Sequence, residues 1–411
     1  MAKVLETRNM KIRFAHIADC HLGAWHARLQ EMNLAAFKQA IDSCIKERVD
    51  FVLITGDLFD TAIPPIDILK EATSKLKQLK DSGIECYIIA GSHDFSVSGK
   101  TFLDVLEKAG LLSNVSVIRE TGEGKIELEL IEKENLIIAG LSGRKAGLET
   151  GLISKDIIDG KKLNSNKLKI LALHTTITEA INEYNPKSSE FMDSVDASKL
   201  PDGFDYYALG HIHFPFERKI ENKLIVYPGP LFPNNFAEIE ELKAGSFCFV
   251  EFDNGKINVR REKIDLNVES SRIDASGKDP QQISNEIIKK IENLQDKIIT
   301  ARVSGKLNGH ISDIQFVKIN EEAEKNNCIF LKNTSDLESP EFKTEFDIKA
   351  KDIEEIEKEI VEKFCMDNQS EFNRLINILI KNLNIEKQEG ETTSVFEKRM
   401  FQDIEKIIGI K

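Results

Sequence analysis

The chain has 411 residues, 41% of them hydrophobic, which leaves room for two or three domains with full cores. No apolar run approaches the ~20 residues of a membrane span, and the polar stretch from Met1 to Met10 lacks the apolar segment of a signal peptide, so a cytoplasmic protein is expected. A net charge of −13 argues against a uniformly basic nucleic-acid binder, and six scattered cysteines without a C-x-x-C pair argue against a zinc ribbon or a disulfide framework.

Short apolar runs alternate with helix-like stretches over the first 265 residues. Strands are predicted at 12–18, 51–55, 86–90, 136–140, 168–173, 206–209, 224–227 and 246–252, each rich in Ile, Val, Leu or aromatics and bounded by Gly, Asp or Asn. Helices are predicted at 33–48 and 66–80. The alternation specifies an α/β layered domain, and the later run of strands a partly mixed sheet. Near Asp265 the texture changes. Asp279-Pro280 reads as an N-cap followed by Pro at the first helical position, ahead of a stripe at Ile283, Ile287, Ile288, Ile291 and Leu294. A strand at 298–303, a helix at about 311–325 and a strand at 328–331 complete a small α+β unit. From about Lys349 three amphipathic stripes follow, among them Phe372, Leu375, Ile376, Leu379 and Leu383, then Phe396, Met400, Ile404 and Ile408.

Five of the strand candidates stop at residues able to hold a metal. They end in Asp19-Cys20-His21, in Gly56-Asp57-Leu58-Phe59-Asp60, in Gly91-Ser92-His93-Asp94, at His174, and in Gly210-His211-Ile212-His213. Carboxyl ends of strands in an α/β sheet share one edge, where ligands collect, so these distant residues are expected to converge. Imidazole and carboxylate together suit Mn²⁺, Fe²⁺ or Zn²⁺ better than Ca²⁺ or Mg²⁺. One carboxylate can bridge two such ions, which lower the pKa of bound water and neutralise phosphate charge. Each piece alone has a plainer explanation: a lone His is more often core than ligand, and a lone Gly-Asp is usually a turn. His16, His26 and His310 are read in that plain way. Five such pieces in order, each at a strand end, are not explained by coincidence.

The order D-x-H, G-D-x-x-D, G-N-H-D, H, G-H-x-H resembles that of the calcineurin-like metallophosphoesterases. More narrowly, Ala18 to Gly23, Gly56 to Asp60, Ala208 to His213 and Tyr227-Pro228-Gly229-Pro230 resemble the SbcD nuclease family and its archaeal and eukaryotic counterparts. The resemblance covers about the first 265 residues and implies a two-sheet sandwich. It implies one metal ion held by Asp19, His21, Asp57 and His213, and a second held by Asp57, Ser92, His174 and His211, with Asp57 bridging. His93 would be a catalytic histidine that is not a ligand, and Asp60 and Asp94 would orient the ligands. Ser92 stands where the family usually has Asn, and its shorter hydroxyl is a poorer ligand. Asp60 stands where some relatives carry His.

What the resemblance implies about activity is exonuclease and endonuclease cleavage at DNA double-strand-break ends with two Mn²⁺ ions, with Fe, Zn or Mg as other possible occupants. Residues 10–265 would form the nuclease domain, 266–340 a capping domain that selects DNA, and 350–411 helices docking on an SbcC-type, SMC-like ATPase. A homodimer through helices at 66–80 and 101–109 and a place at the nucleoid are also implied. The acidic total then means that this subunit alone binds DNA poorly and that a partner supplies basic surface. Three other readings stay open. A phosphatase or small-molecule phosphodiesterase could use the same metal core. Ser92 could have left an end-binding scaffold that no longer cuts. The C-terminal stripes could simply cover the nuclease core.

Overall fold

The computed structural model describes residues 11–339, apart from 97–98, 123–124, 145–146, 159–162 and 185–191. The predicted helices from residue 350 onward lie outside the described residues. In chain order, β1 (Lys11–Ile17), α1 (Ala27–Glu47), β2 (Phe51–Thr55), α2 (Ile66–Asp81), β3 (Glu85–Ile89), α3 (Phe102–Lys108) and β4 (Ser113–Asn114) form the first half of the larger unit. The hairpin of β5 (Ile118–Gly122) and β6 (Lys125–Leu128) and the short β7 (Ile131–Glu132) lead into β8 (Leu136–Leu141), β9 (Leu168–His174) and α4 (Thr178–Tyr184). Then come β10 (Tyr206–Gly210), β11 (Phe216–Ile220), β12 (Lys223–Tyr227), α5 (Phe236–Leu242), β13 (Ala244–Asp253) and β14 (Lys256–Asp265). A second unit contains β15 (Val268–Asp274), α6 (Pro280–Ile291), β16 (Ile298–Lys306), α7 (Phe316–Lys325), β17 (Ile329–Asn333) and β18 (Leu337–Glu338).

Two six-stranded sheets face each other, ordered β14-β13-β1-β2-β3-β4 and β11-β12-β10-β9-β8-β7. In the first, β1 to β4 run parallel, β13 runs antiparallel to β1, and β14 antiparallel to β13; in the second, β8, β9, β10 and β12 run parallel between antiparallel edges. The period-two alternation of strand side chains divides the apolar residues into three layers. Phe14, Leu53, Tyr87, Ile170, Tyr206 and Val226 fill the space between the sheets. Ile17, Ile54 and Ile88 point the other way, under Phe37 and Ile41 of α1 and Leu76 of α2. Leu171, Leu173 and Tyr207 face outward under Ile157, Ile181 and Leu200. Burial on both faces is why these strands read as continuous apolar runs. The fold is therefore a two-sheet α/β sandwich of mixed strand direction.

The second unit is a parallel sheet of β15, β16 and β17, with β18 paired to the end of β16, backed by α6 and α7 through Ile283, Ile287, Ile319 and Ala323. Helix α6 starts in a capping box between Asp279 and Gln282 with Pro280 in its first turn. The helix predicted from 311 is broken: a single turn at Ile311–Asp313 precedes α7 at Phe316. Ile314 is extended there, which puts its side chain into the unit's core, and the Gln315 N–H bonds Ser284 Oγ at 2.9 Å. Ile298 belongs to the core under α1 and α2, and Val268, Ile329 and Leu331 pack against that core, so the two units share apolar contact. The five described cysteines are all buried free thiols. No described helix is long and apolar enough to cross a membrane.

Candidate metal centre

The carboxyl ends of β1, β2 and β3 lie at one edge of the first sheet, and those of β9 and β10 at one edge of the second. Hydrogen bonds join the two edges. The His174 ring donates from Nδ1 to the Thr55 carbonyl at 2.9 Å, and the His211 N–H reaches the Asp19 carboxylate at 3.0 Å. Within the first sheet, the His93 N–H donates to Asp57 Oδ1 at 2.8 Å. Asp19, His21, Asp57 and His211 all have positive φ, at 50°, 42°, 49° and 93°. Such left-handed non-glycine residues cost on the order of 1–3 kcal/mol each and gather at functional sites. Close approach of the two sheets requires Gly210, where a Cβ would stand 2.0 Å from the Thr55 carbonyl oxygen. Gly210→Ala is therefore expected to lower stability by about 1–3 kcal/mol or more through overpacking, and to weaken ion binding by pushing β10 from β2. Denaturant melting and ion titration of the variant check both effects.

Three groups of possible ligands form where the edges meet: Asp19 with His21 and His213, Asp57 with His174 and His211, and His21 with Asp60 and His93, each with donor atoms within 4.8 Å of one another. The imidazoles are held in a consistent way. His21 donates from Nδ1 to Asp60 Oδ1 at 3.2 Å, and His213 from Nδ1 to Glu238 Oε1 at 3.0 Å. With Nδ1 of His21, His174 and His213 occupied, the Nε2 lone pairs turn inward. His21 Nε2 and His213 Nε2 face each other at 3.0 Å, where two lone pairs repel unless a proton or a metal ion lies between them. His174 Nε2 is buried, with Asp57 Oδ2 3.1 Å away. Asp57 Oδ2 is also 3.8 Å from His21 Nε2, so one carboxylate oxygen lies between the two halves. This donor set fits a pair of divalent cations, with the second ring nitrogen of His21, His174 and His213 tied to oxygen, as is usual for ligand imidazoles.

The charges agree. Burial raises the pKa of Asp19 against the pull of His213 and His174. Burial also opposes ionisation of Asp57, but His174 and His21 hold its pKa well below the usual carboxylate range. Burial works to lower His174, and Asp57 and Asp19 outweigh it and raise the ring to about 10. His213 likewise rises to about 9 against burial, through Glu238 and Asp19. His211 is lowered to about 3 by burial and by His174. A field that draws protons onto buried imidazoles also draws cations.

Around this centre, His93 is 45% exposed and donates from Nδ1 to the Asp60 carbonyl at 2.7 Å. Its ring stands perpendicular to that of His21 at 4.7 Å. Asp94 is buried and accepts from the backbone N–H groups of Gly91, Phe59 and Leu58 at 2.9, 3.1 and 3.3 Å, pinning the loops after β2 and β3 to each other. Burial and Asp57 push its pKa up to about 7. Ser92 is half-buried beside Gly91, whose backbone lies against Asp57. His16 is buried between the Tyr206 hydroxyl and Thr55 Oγ1, both at 2.9 Å, and burial with Arg261 lowers it to about 3, so the ring is neutral.

Sequence reasoning missed Glu238. Its Oε1 holds His213 and its Oε2 accepts the Asn234 N–H at 2.7 Å, while its own N–H is capped by Asn235 Oδ1 at 3.0 Å. The available signal was an Asn three residues before a Glu, a helix start, shortly after Tyr227-Pro228-Gly229-Pro230.

Comparison with known proteins gives the same direction. The profile of the calcineurin-like phosphoesterase family matches residues 12–215. The DNA double-strand break repair protein Mre11 of Methanococcus maripaludis is 30% identical over 299 residues, covering 69% of this chain and 74% of that protein. The protein of the same name from Methanocaldococcus jannaschii is 28% identical over 294 residues, with the same two coverages. That of Sulfurisphaera tokodaii is 34% identical over 206 residues, 49% of each chain.

Proposed function

The chain belongs to the Mre11 family of calcineurin-like phosphoesterases, metal-dependent phosphodiesterases, and from that membership we propose that it hydrolyses DNA at double-strand-break ends with two Mn²⁺ ions. The observation that carries this reading is the convergence of three imidazoles on Asp57 and Asp19, each with Nδ1 tied to oxygen and Nε2 turned inward. Asp19, His21, Asp57 and His213 would hold one ion; Asp57, Ser92, His174 and His211 would hold the other. Bound there, the ions supply a nucleophilic water at neutral pH and offset the charge gathering on the phosphate.

The side chains do the rest. Asp57 spends Oδ1 on the His93 N–H, which fixes the direction of Oδ2 between the two halves. Asp60 and Glu238 keep His21 and His213 in one tautomer and orientation. His93 is outside both proposed ligand sets and open to solvent. With Nδ1 donating to the Asp60 carbonyl, Nε2 is the atom left to carry a proton to the departing sugar oxygen or to a phosphate oxygen.

Metal analysis joined to a cleavage assay tests the reading. Chelated protein should leave linear duplex DNA intact, and Mn²⁺ should restore cleavage from the ends. Hydrolysis of p-nitrophenyl phosphate with DNA untouched would favour the phosphatase reading. Two bound ions with neither substrate cut would favour the end-binding scaffold.

Ser92 predicts an asymmetry between the ions. The site of His174 and His211 is expected to bind more weakly, since a hydroxyl on a one-carbon stem replaces a longer amide, and Ser92→Asn is expected to tighten it. Calorimetric titration checks this; two equally tight ions in the unaltered protein would refute it.

The assembly is proposed with the same membership. Residues 266–340 cap the site and select DNA, and α2 and α3 form a homodimer seam. Ile63 and Ile66 beside and on α2 and Val105 on α3 are exposed large apolar side chains, which supports that seam. The stripes beyond residue 350 dock on an SbcC-type ATPase, which would place the complex at the nucleoid. Truncation after Glu345 is expected to leave a folded nuclease that no longer binds that ATPase, because each buried apolar side chain contributes about 1.5–3 kcal/mol. Pull-down and thermal melting of one truncated sample separate docking from covering. An unchanged pull-down refutes docking, and early melting or aggregation shows that the helices also cover the core.

A further inference from the structure

Both imidazoles of one half of the centre are aimed from the start of α5. Asn234 Nδ2 donates to Asp60 Oδ1 at 3.4 Å, and that same oxygen accepts from His21 Nδ1. Glu238, in the first turn, accepts from His213 Nδ1. The other half is held differently, with His174 tied to the Thr55 carbonyl inside a sheet. Helix α5 has seven residues, and a helix of under two turns has no stability of its own, so its position depends on tertiary anchors. One anchor is Ile239, fully buried in the core under α1 and α2.

The second anchor comes from the other unit. Arg302 on β16 reaches Glu240 of α5 with Nε at 3.0 Å and Nη2 at 2.7 Å, both to Oε2. Its guanidinium also stands 5.4 Å from the centroid of the Phe236 ring at the start of α5. Both charged side chains are largely shielded from water, where a forked, charge-assisted pair holds direction best. Ser270 Oγ on β15 donates to the Glu240 carbonyl at 3.5 Å and adds a third tie.

We propose that Arg302 is a positioning residue for the His21–His213 half of the metal centre, acting through Glu240 and the placement of α5. The second unit is then part of the scaffold of that half as well as a wall beside it. A group that shifts β16 shifts Glu238 and Asn234 together, and with them the two imidazoles. The link rests on the metal reading above, so its test must tell the two apart.

The experiment is Mn²⁺ titration by calorimetry of the full chain, with thermal melting of the same samples. The binding step that survives in His211→Ala identifies the His21–His213 half. Arg302→Met is expected to weaken that step about tenfold, leaving the other step unchanged. Glu240→Gln should do the same, and the double variant should lose no more than either single one, because both act through one link. Unchanged binding in Arg302→Met, equal weakening of both steps with a lower melting point, or additive losses in the double variant would each overturn the proposal. Absence of Mn²⁺ binding in the unaltered protein would instead overturn the metal reading beneath it.

Discussion

His93→Ala is expected to lower DNA cleavage by about 10²–10⁴-fold, the usual contribution of a positioned acid or base, while both ions bind as before. The ring is close enough to His21 and Asp60 to count among possible ligands, so the competing outcome is real. Exposure favours the proton-carrying role: the His93 side chain is 45% exposed, whereas those of His21 and His174 are 1% exposed. Single-turnover cleavage and ion titration on the same variant give the answer. Cleavage lost with both ions retained supports the role, and loss of an ion would make His93 a ligand and move the proton to another group.

Much of the centre was legible because a parallel strand leaves its chemistry at its carboxyl end. Strand β2 runs over the predicted residues 51–55 and delivers Asp57 to the edge. The strands carrying Asp19 and His93 begin and end one residue earlier than expected, and that carrying His211 ends one residue later, which moves no side chain to the other face. What was not legible has physical reasons. Strands β11, β14 and β15 were missed because their sequences, FERKI, KINVRREKID and VESSRID, carry too few apolar residues to signal a strand. They exist because a neighbour supplies the pairing, as β13 does for β14 over ten residues. The buried His16 looked like any core histidine; its place between Tyr206 and Thr55 depends on the second sheet, which brings position 206 to position 16. Glu238 was hidden for another reason. A glutamate in the first turn of a helix already has a local explanation, and its partner is a loop histidine 25 positions earlier.

That local explanation makes Glu238→Gln an informative substitution. The two side chains have nearly the same shape, so α5 and its Asn235 cap should persist, and an amide oxygen can still accept from His213 Nδ1. What is removed is the charge and, if the amide oxygen stays on His213, the acceptor for the Asn234 N–H. Burial works to raise the Glu238 pKa, yet the hydrogen bond from His213 and the Asn234 N–H hold it below the usual glutamate range, so the residue works as a carboxylate. A carboxylate behind a ligand imidazole makes its far nitrogen more electron-rich and fixes its orientation, and losing such a partner typically costs 10–100-fold (roughly) in metal affinity. The loss should fall on the ion shared by Asp19, His21 and His213, with the His174–His211 half unchanged, because no described hydrogen bond ties Glu238 to that half. Cleavage should then recover at high Mn²⁺, since the substitution removes affinity and leaves His93 in place. Titration of cleavage rate against Mn²⁺ concentration reads this directly. A rate that stays low at saturating Mn²⁺ would assign Glu238 a part in the chemical step, and an unchanged Mn²⁺ requirement with a lowered melting point would reduce it to a helix-start residue.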